Sequence, residues 1–199
     1  MDTAKKFINQ NLSLIVESDP KIFINDKSVQ NVKSKLKIIN LYNQGQKLNH
    51  RLFNISVGKK FTNGFIRNNH DVLEISDRDF IKQNRTLLFT NSYTKFQQYL
   101  SESFKNYNPD LLFFGHTKNI ERNTIQECKS INANLIISQW NEDPVMQSLN
   151  YSKQNIKNIL NYSDIVDHTF ITTDPSVLKK QKFDIKNLHF FFVPVDKNI

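Results

Sequence analysis

Hydrophobic residues fall along this chain in short continuous runs, separated by stretches in which they recur every three or four positions. The runs cover Leu36 to Leu41, Asp71 to Ile75, Leu111 to Phe114 closed by Gly115, Leu135 to Ser138, Thr169 to Thr172 and Phe190 to Val193. Runs of this length without polar alternation predict strands buried on both faces. Between the first two, Phe53, Val57, Phe61 and Phe65 recur every four residues with Leu52 and Ile66 beside them. That stripe predicts an amphipathic helix over Arg51 to Asn68 packed on a sheet. Further helices are predicted over Tyr93 to Tyr107, Asn123 to Ile131 and Ser152 to Leu160. Another follows Asp174-Pro175, where Asp caps free N–H groups and Pro suits the first helical position. The alternation predicts an α/β fold, a doubly wound, mostly parallel Rossmann-like sheet with helices on both faces.

Local chemistry refines this outline. Gly58 and Gly64 lower the propensity of the first helix, and the expected compensation is close approach to the strands beneath. Ser76-Asp77-Arg78-Asp79 predicts a turn at the end of the second strand. Residues 1–34 mix apolar and charged positions around Pro20 without a sustained period, so they read as an extension before one domain spanning 35–199.

Composition then narrows the class. Hydrophobic residues at 38%, charged residues at 23% and 16 phenylalanines describe a soluble globular chain with ample core material, which excludes wholesale disorder. No apolar run has signal-peptide or membrane-spanning length, so the expected location is cytoplasmic. The single cysteine, Cys128, excludes an internal disulfide and reads as a small buried hydrophobe. Of the net charge of +8, residues 1–60 hold +7 (11 Lys/Arg against 4 Asp/Glu), leaving 16 against 15 for the rest. A basic leading segment suits an anionic membrane face or a phosphorylated ligand; because no basic run exceeds two residues, a solvated face is the plainer reading. Nucleic acid is not an expected partner, since the basic residues are not interleaved with aromatics.

In open parallel sheets, ligands gather beyond the carboxyl ends of the strands. Gly45 stands alone in its strand-end loop, so both the Gly-x-Gly-x-x-Gly cradle and the P-loop are missing, which disfavours a dinucleotide on this sheet. Asp77 stands where a ribose-binding acid would fall, but without those glycines it reads as a turn residue. The five histidines lack metal-ligand spacing, so no metal is expected. The densest chemistry is Trp140-Asn141-Glu142-Asp143-Pro144. Trp140 is placed either to stack on a sugar ring or to cover the sheet edge. Asn141, Glu142 and Asp143 are placed either to meet hydroxyls and act as a base or to start the next turn. The residues alone leave both readings open.

Four ordered phrases carry a resemblance: Pro109-Asp110-Leu-Leu-Phe-Phe-Gly115-His116, then Leu135-Ile-Ile-Ser-Gln-Trp140-Asn-Glu-Asp-Pro144, then Asp164 through Asp174-Pro-Ser-Val-Leu178, then Phe191-Phe-Val-Pro-Val-Asp196. Together they resemble the N-terminal half of GT-B glycosyltransferases, in the bacterial branch related to spore-maturation proteins, over roughly residues 35–199. The resemblance implies two Rossmann-like domains facing across a cleft, with the acceptor on this one. The nucleotide-sugar would be bound by a second domain not contained in this chain, and no other cofactor is implied. It implies a glycan or glycolipid acceptor, held near an anionic membrane by the basic leading segment. Candidates for the base that deprotonates the acceptor hydroxyl are His116, Glu142 and His50. Gly45, Asn49 and Arg51 would shape the cleft mouth and bind the acceptor together with Trp140, Asn141 and Asp143. Turnover by the isolated chain is not expected. The alternative is a non-catalytic Rossmann-like module binding a small ligand or a protein at the same crevice.

Overall fold

The computed structural model describes residues 35–46, 55–85, 91–146, 148–180 and 185–195, and the expected extension over 1–34 lies outside them. Six strands, β1 (Lys37–Tyr42), β2 (Asp71–Ile75), β3 (Leu111–Gly115), β4 (Ile136–Asn141), β5 (His168–Ile171) and β6 (Leu188–Phe190), form one sheet in the order β2-β1-β3-β4-β5-β6. Every pair is parallel. The described helices are α1 (Val57–Arg67), α2 (Asp77–Gln83), α3 (Ser92–Tyr107), α4 (Arg122–Ile131), α5 (Asn150–Tyr162) and α6 (Pro175–Lys180). The doubly wound α/β expectation holds.

Helices lie on both faces of the sheet. On one face α1 presses Phe61 and Phe65 onto a cluster of Ile38, Tyr42, Leu111, Phe113, Trp140 and Phe191. On the other, α3 and α4 bury Phe96, Leu100, Phe104, Ile125 and Cys128 against Ile39, Leu41, Leu112, Phe114 and Ile137. Cys128 is the small buried hydrophobe expected, its thiol pushed up to about 12 chiefly by burial. The chain leaves β1 toward β2 over the first face and reaches β3 over the second, so the winding direction reverses between β1 and β3. Right-handed crossovers require that change of face.

The structure corrects several expected boundaries. The first helix begins at Val57, because Ser56 caps it by accepting from the Lys59 amide at 3.3 Å. Ser76 to Asp79 is no turn but the start of α2. Ser76 is its N-cap, accepting from the Asp79 amide, and two acids lie in the first turn. The same short polar side chains serve turns and caps, which is why the sequence misled. The fourth strand runs on through Trp140 and Asn141, because the buried Gln139 amide is satisfied inside, donating to Ile159 O at 3.1 Å and Thr169 Oγ1 at 3.0 Å. The last strand is Leu188–Phe190 and not Phe190 to Val193, so it starts and ends earlier than predicted. Beyond it Phe191 still donates to Ile171 O at 2.9 Å, but Pro194 has no N–H to continue a ladder. Gly58 does approach the sheet, for a Cβ there would lie 2.2 Å from the Tyr42 ring. Gly64 does not, since a Cβ would meet nothing within 4 Å.

Among the described residues, no helix is long and apolar enough to cross a membrane.

Candidate functional site

Where the winding reverses between β1 and β3, the carboxyl ends of the strands mark the crevice position at which such sheets hold ligands. Its floor is a set of cross-linked loops. The chain leaves β1 through Gln44 and Gly45, and Gly45 takes φ 68°, the left-handed conformation glycine adopts freely. The Gln44 amide donates to Ser76 Oγ at 3.2 Å and the Gln46 amide to Asp79 Oδ2 at 3.2 Å, tying this loop to the start of α2. Asp77, fully buried, accepts from Thr117 Oγ1 at 2.7 Å and Asn119 Nδ2 at 2.9 Å, which ties the start of α2 to the loop after β3. Asp77 is therefore a buried joint between two loops, neither a turn residue nor a ribose contact.

His116 follows β3 directly and sits at φ 53°, in the left-handed region that non-glycine residues rarely enter. Its carbonyl accepts from Arg78 Nη2 at 3.2 Å. Such local strain persists only when neighbours fix it, and it concentrates at functional positions. The conformation turns the imidazole across to β4. Gly115 pairs with Trp140 in the sheet, so His116 stands level with Asn141 and one residue from Glu142. His116 Nε2 lies 2.6 Å from Glu142 Oε2 and 3.8 Å from Asp143 Oδ2. The His116 and Glu142 side chains remain 26% and 24% exposed, while the two facing atoms, Nε2 and Oε2, are themselves buried.

Electrostatics favour a proton on this pair. Burial opposes the imidazolium, but the bond to Glu142, its charge and that of Asp143 outweigh burial and the repulsion of Arg78. His116 is raised above the ordinary histidine range. Neighbouring groups fix the backbone that carries the two acids, and one reaches the Asp143 carboxylate. Thr172 Oγ1 donates to Glu142 O at 2.7 Å, Asn141 Nδ2 to Asp143 O at 2.8 Å, and Asn155 Nδ2 reaches Asp143 Oδ2 at 3.4 Å.

The structure thus brings together His116, Glu142 and Asp143, with Gly45 in the adjoining loop. Trp140 lies beneath them. Its indole is 4% exposed, packed over Gly115 and against Phe61, Phe113 and His116 with ring centroids 5.2, 6.2 and 5.6 Å away. Of the two readings of Trp140, this burial supports the covering one, and a ring so enclosed offers no platform for a sugar. Asn49, His50 and Arg51 lie outside the described residues. Arg78 and Thr172 were missed. Arg78 stood in what read as a turn, and Thr172 at a strand end carried no sequence signal. Among the described residues no group of three or more His, Cys, Asp or Glu is arranged to hold a metal ion.

A polar network beside the crevice anchors α1. Tyr42 Oη donates to Glu74 Oε1 at 2.5 Å, Thr62 Oγ1 donates to the same atom at 2.7 Å, and Lys59 Nζ pairs with Glu74 Oε2 at 2.7 Å. Burial works against the Glu74 charge, yet these three partners hold its carboxyl below the usual range.

No protein-family profile matches the chain, and no curated protein matches it. Among solved structures it is similar to an alpha-glucosyltransferase in complex with UDP and a 13-mer DNA containing a HMU base, with TM-score 0.46 and 15% identity over 81% of this chain. It is also similar to an alpha-glucosyltransferase in complex with UDP and a 13-mer DNA containing a central A:G mismatch, with TM-score 0.40 and 15% identity over 82% of this chain. The chain spans 43% and 41% of the length of those two chains.

Proposed function

We propose that this chain is the acceptor-side half of a GT-B glycosyltransferase, passing a sugar from a nucleotide-sugar to a hydroxyl of a glycan or glycolipid. The observation that carries the reading is the His116–Glu142 contact of 2.6 Å at the carboxyl ends of β3 and β4, beside the strand pair between which the winding reverses. The ordered strand-end phrases and their resemblance to that family support it.

In the reaction, the acceptor O–H bond breaks as its oxygen bonds to the anomeric carbon. The bond from that carbon to the diphosphate breaks, and its electrons leave with the diphosphate. The chain's own task is to take the hydroxyl proton and hold the acceptor in line. Glu142 raises the proton affinity of His116, so the imidazole takes the hydroxyl proton and the neighbouring carboxylate stabilises the imidazolium that results. Asp143, 48% exposed, is placed to receive a hydrogen bond from a second acceptor hydroxyl. Stabilisation of the departing diphosphate falls to the donor-binding half.

The test is sugar transfer from a panel of nucleotide-sugars to glycans, glycolipids and duplex DNA, by the chain extended through whatever its reading frame encodes beyond Ile199. His116→Ala and Glu142→Gln should each lower kcat by about 10²–10⁴-fold, the range of a lost general base. Absence of transfer from every donor, or rates indifferent to both substitutions, refutes the proposal.

A further inference from the structure

Away from the crevice, β5 and β6 bring together two histidines that the proposed chemistry does not use. His168 Nδ1 lies 3.1 Å from His189 Nε2, with ring centroids 5.2 Å apart. In the sheet Phe170 pairs with His189, and its ring stacks on that imidazole at 5.0 Å and 27°. Both rings are half-buried. The strand they secure is short: β6 has three residues and stands at the sheet edge.

We propose that the His168–His189 contact is an acid-released latch holding the last strand of the sheet against β5. Two imidazoles at this distance share one hydrogen, so one of the two facing nitrogens must be bare. When both rings are imidazolium, both facing nitrogens carry protons and two like charges meet across a half-buried contact. Besides its three-pair ladder to β5 and the packing of Leu188, β6 is flanked by Thr169 N to Asn187 O at 3.0 Å, Phe191 N to Ile171 O at 2.9 Å and Asn187 Nδ2 to Asp167 O at 2.9 Å.

The surroundings do little to favour the charged rings. Burial lowers both histidines below the ordinary range, and the charge of His168 lowers His189 further. The one opposing influence on His168 is Asp167, whose Oδ2 already accepts from the Ile137 amide at 2.8 Å and lies 3.4 Å from Lys129 Nζ. On β4 the register partner of His168 is the uncharged Ser138, and Lys186 lies on the exposed turn before β6. The sign follows. Detached histidines take up protons near their ordinary pKa of about 6.5, while docked ones resist until lower pH. Docking of β6 is therefore at full strength above that value and weakens progressively as pH falls below it.

Hydrogen exchange read by mass spectrometry on the full chain, corrected for intrinsic rates, tests this between about pH 7.5 and about pH 5. Peptides spanning 185–193 should lose at least about tenfold more protection than peptides spanning β3, a selective loss read against a strand that carries no histidine pair. His189→Gln keeps a side-chain nitrogen facing His168 without a second titrating ring, and should abolish that excess loss. Parallel loss in β6 and β3, or an unchanged excess in His189→Gln, overturns the latch. Should that variant fold poorly, NMR titration of the unaltered protein decides. Two independent histidines titrating near 6.5 overturn the proposal, and a second protonation well below the first supports it.

Discussion

Two glycines that look alike in sequence should respond to the same substitution with opposite signs. Gly115 ends β3, and a Cβ built there would lie 2.1 Å from Trp140 Cε2, against 3.4 Å where ordinary contact begins. The indole would have to retreat by the difference, 1.3 Å, yet it is held by Phe61, Phe113 and His116. A rigid ring in a close-packed core has no cheap way to move, so Gly115→Ala should cost about 3 kcal/mol, the upper end of the overpacking range. For a chain of this size, that is a fall in Tm of about 6–12 °C. Gly64 lies inside α1 with nothing within 4 Å of its would-be Cβ. There Ala removes only the backbone freedom of glycine, so Gly64→Ala should gain about 0.5–1 kcal/mol and raise Tm by about 1–4 °C. Thermal melts by circular dichroism, with urea midpoints at constant m, measure both. Gly115→Ala melting within about 2 °C of the parent would show that the Trp140 contact yields freely and would refute the packing argument.

Three further outcomes follow from side-chain environments. Glu142→Gln removes the main support of the His116 charge and leaves burial to dominate, so the His116 pKa should fall in a ¹H–¹³C NMR titration. In the parent protein this histidine is raised. Its stabilising contribution is therefore complete below its unfolded pKa of about 6.5 and is lost as pH rises through the folded value; an unchanged pKa in Glu142→Gln would remove the pair from the mechanism. Tyr42→Phe deletes a 2.5 Å bond to the Glu74 carboxylate and should lower stability in urea by about 1.5–3 kcal/mol. Cys128, fully buried with its thiol at about 12, should stay silent to a disulfide reagent at about pH 8 until the protein unfolds; immediate labelling of the folded protein would contradict the burial of α4.

The parts of the fold legible in the sequence were those set by a single element. Leu111-Leu112-Phe113-Phe114 announces a strand covered on both faces because each residue must be apolar for the strand to be buried at all. The end of β4 was illegible for the complementary reason. Gln139 and Asn141 are polar yet buried, and the partners that satisfy them, Ile159 O, Thr169 Oγ1 and Asp143 O, come from elsewhere in the chain or from its local folding back. Polarity marks a loop only when the polar group has nowhere inside to bond.

The site divides along the same line. His116 and Glu142 each stood out singly, as strand-end residues in a sheet whose ligands gather there. Their contact depended on register: Gly115 lies opposite Trp140, which sets His116 level with Asn141 and one residue from Glu142, within side-chain reach. Side chains alternate with a period of two, and a slip of one residue between β3 and β4 would send the Trp140 indole to the opposite face, leaving Gly115 without its cover. The glycine that admits the indole and the histidine that meets Glu142 are consecutive residues answering to one register. His168 and His189 obey the same rule on β5 and β6, where residues 21 positions apart in sequence have facing ring nitrogens 3.1 Å apart because His189 pairs with Phe170, two residues beyond His168. In a parallel sheet each strand end is one crossover away from its neighbour in sequence. Chemistry that needs two strands is therefore fixed by register, and the composition of either strand alone does not encode it.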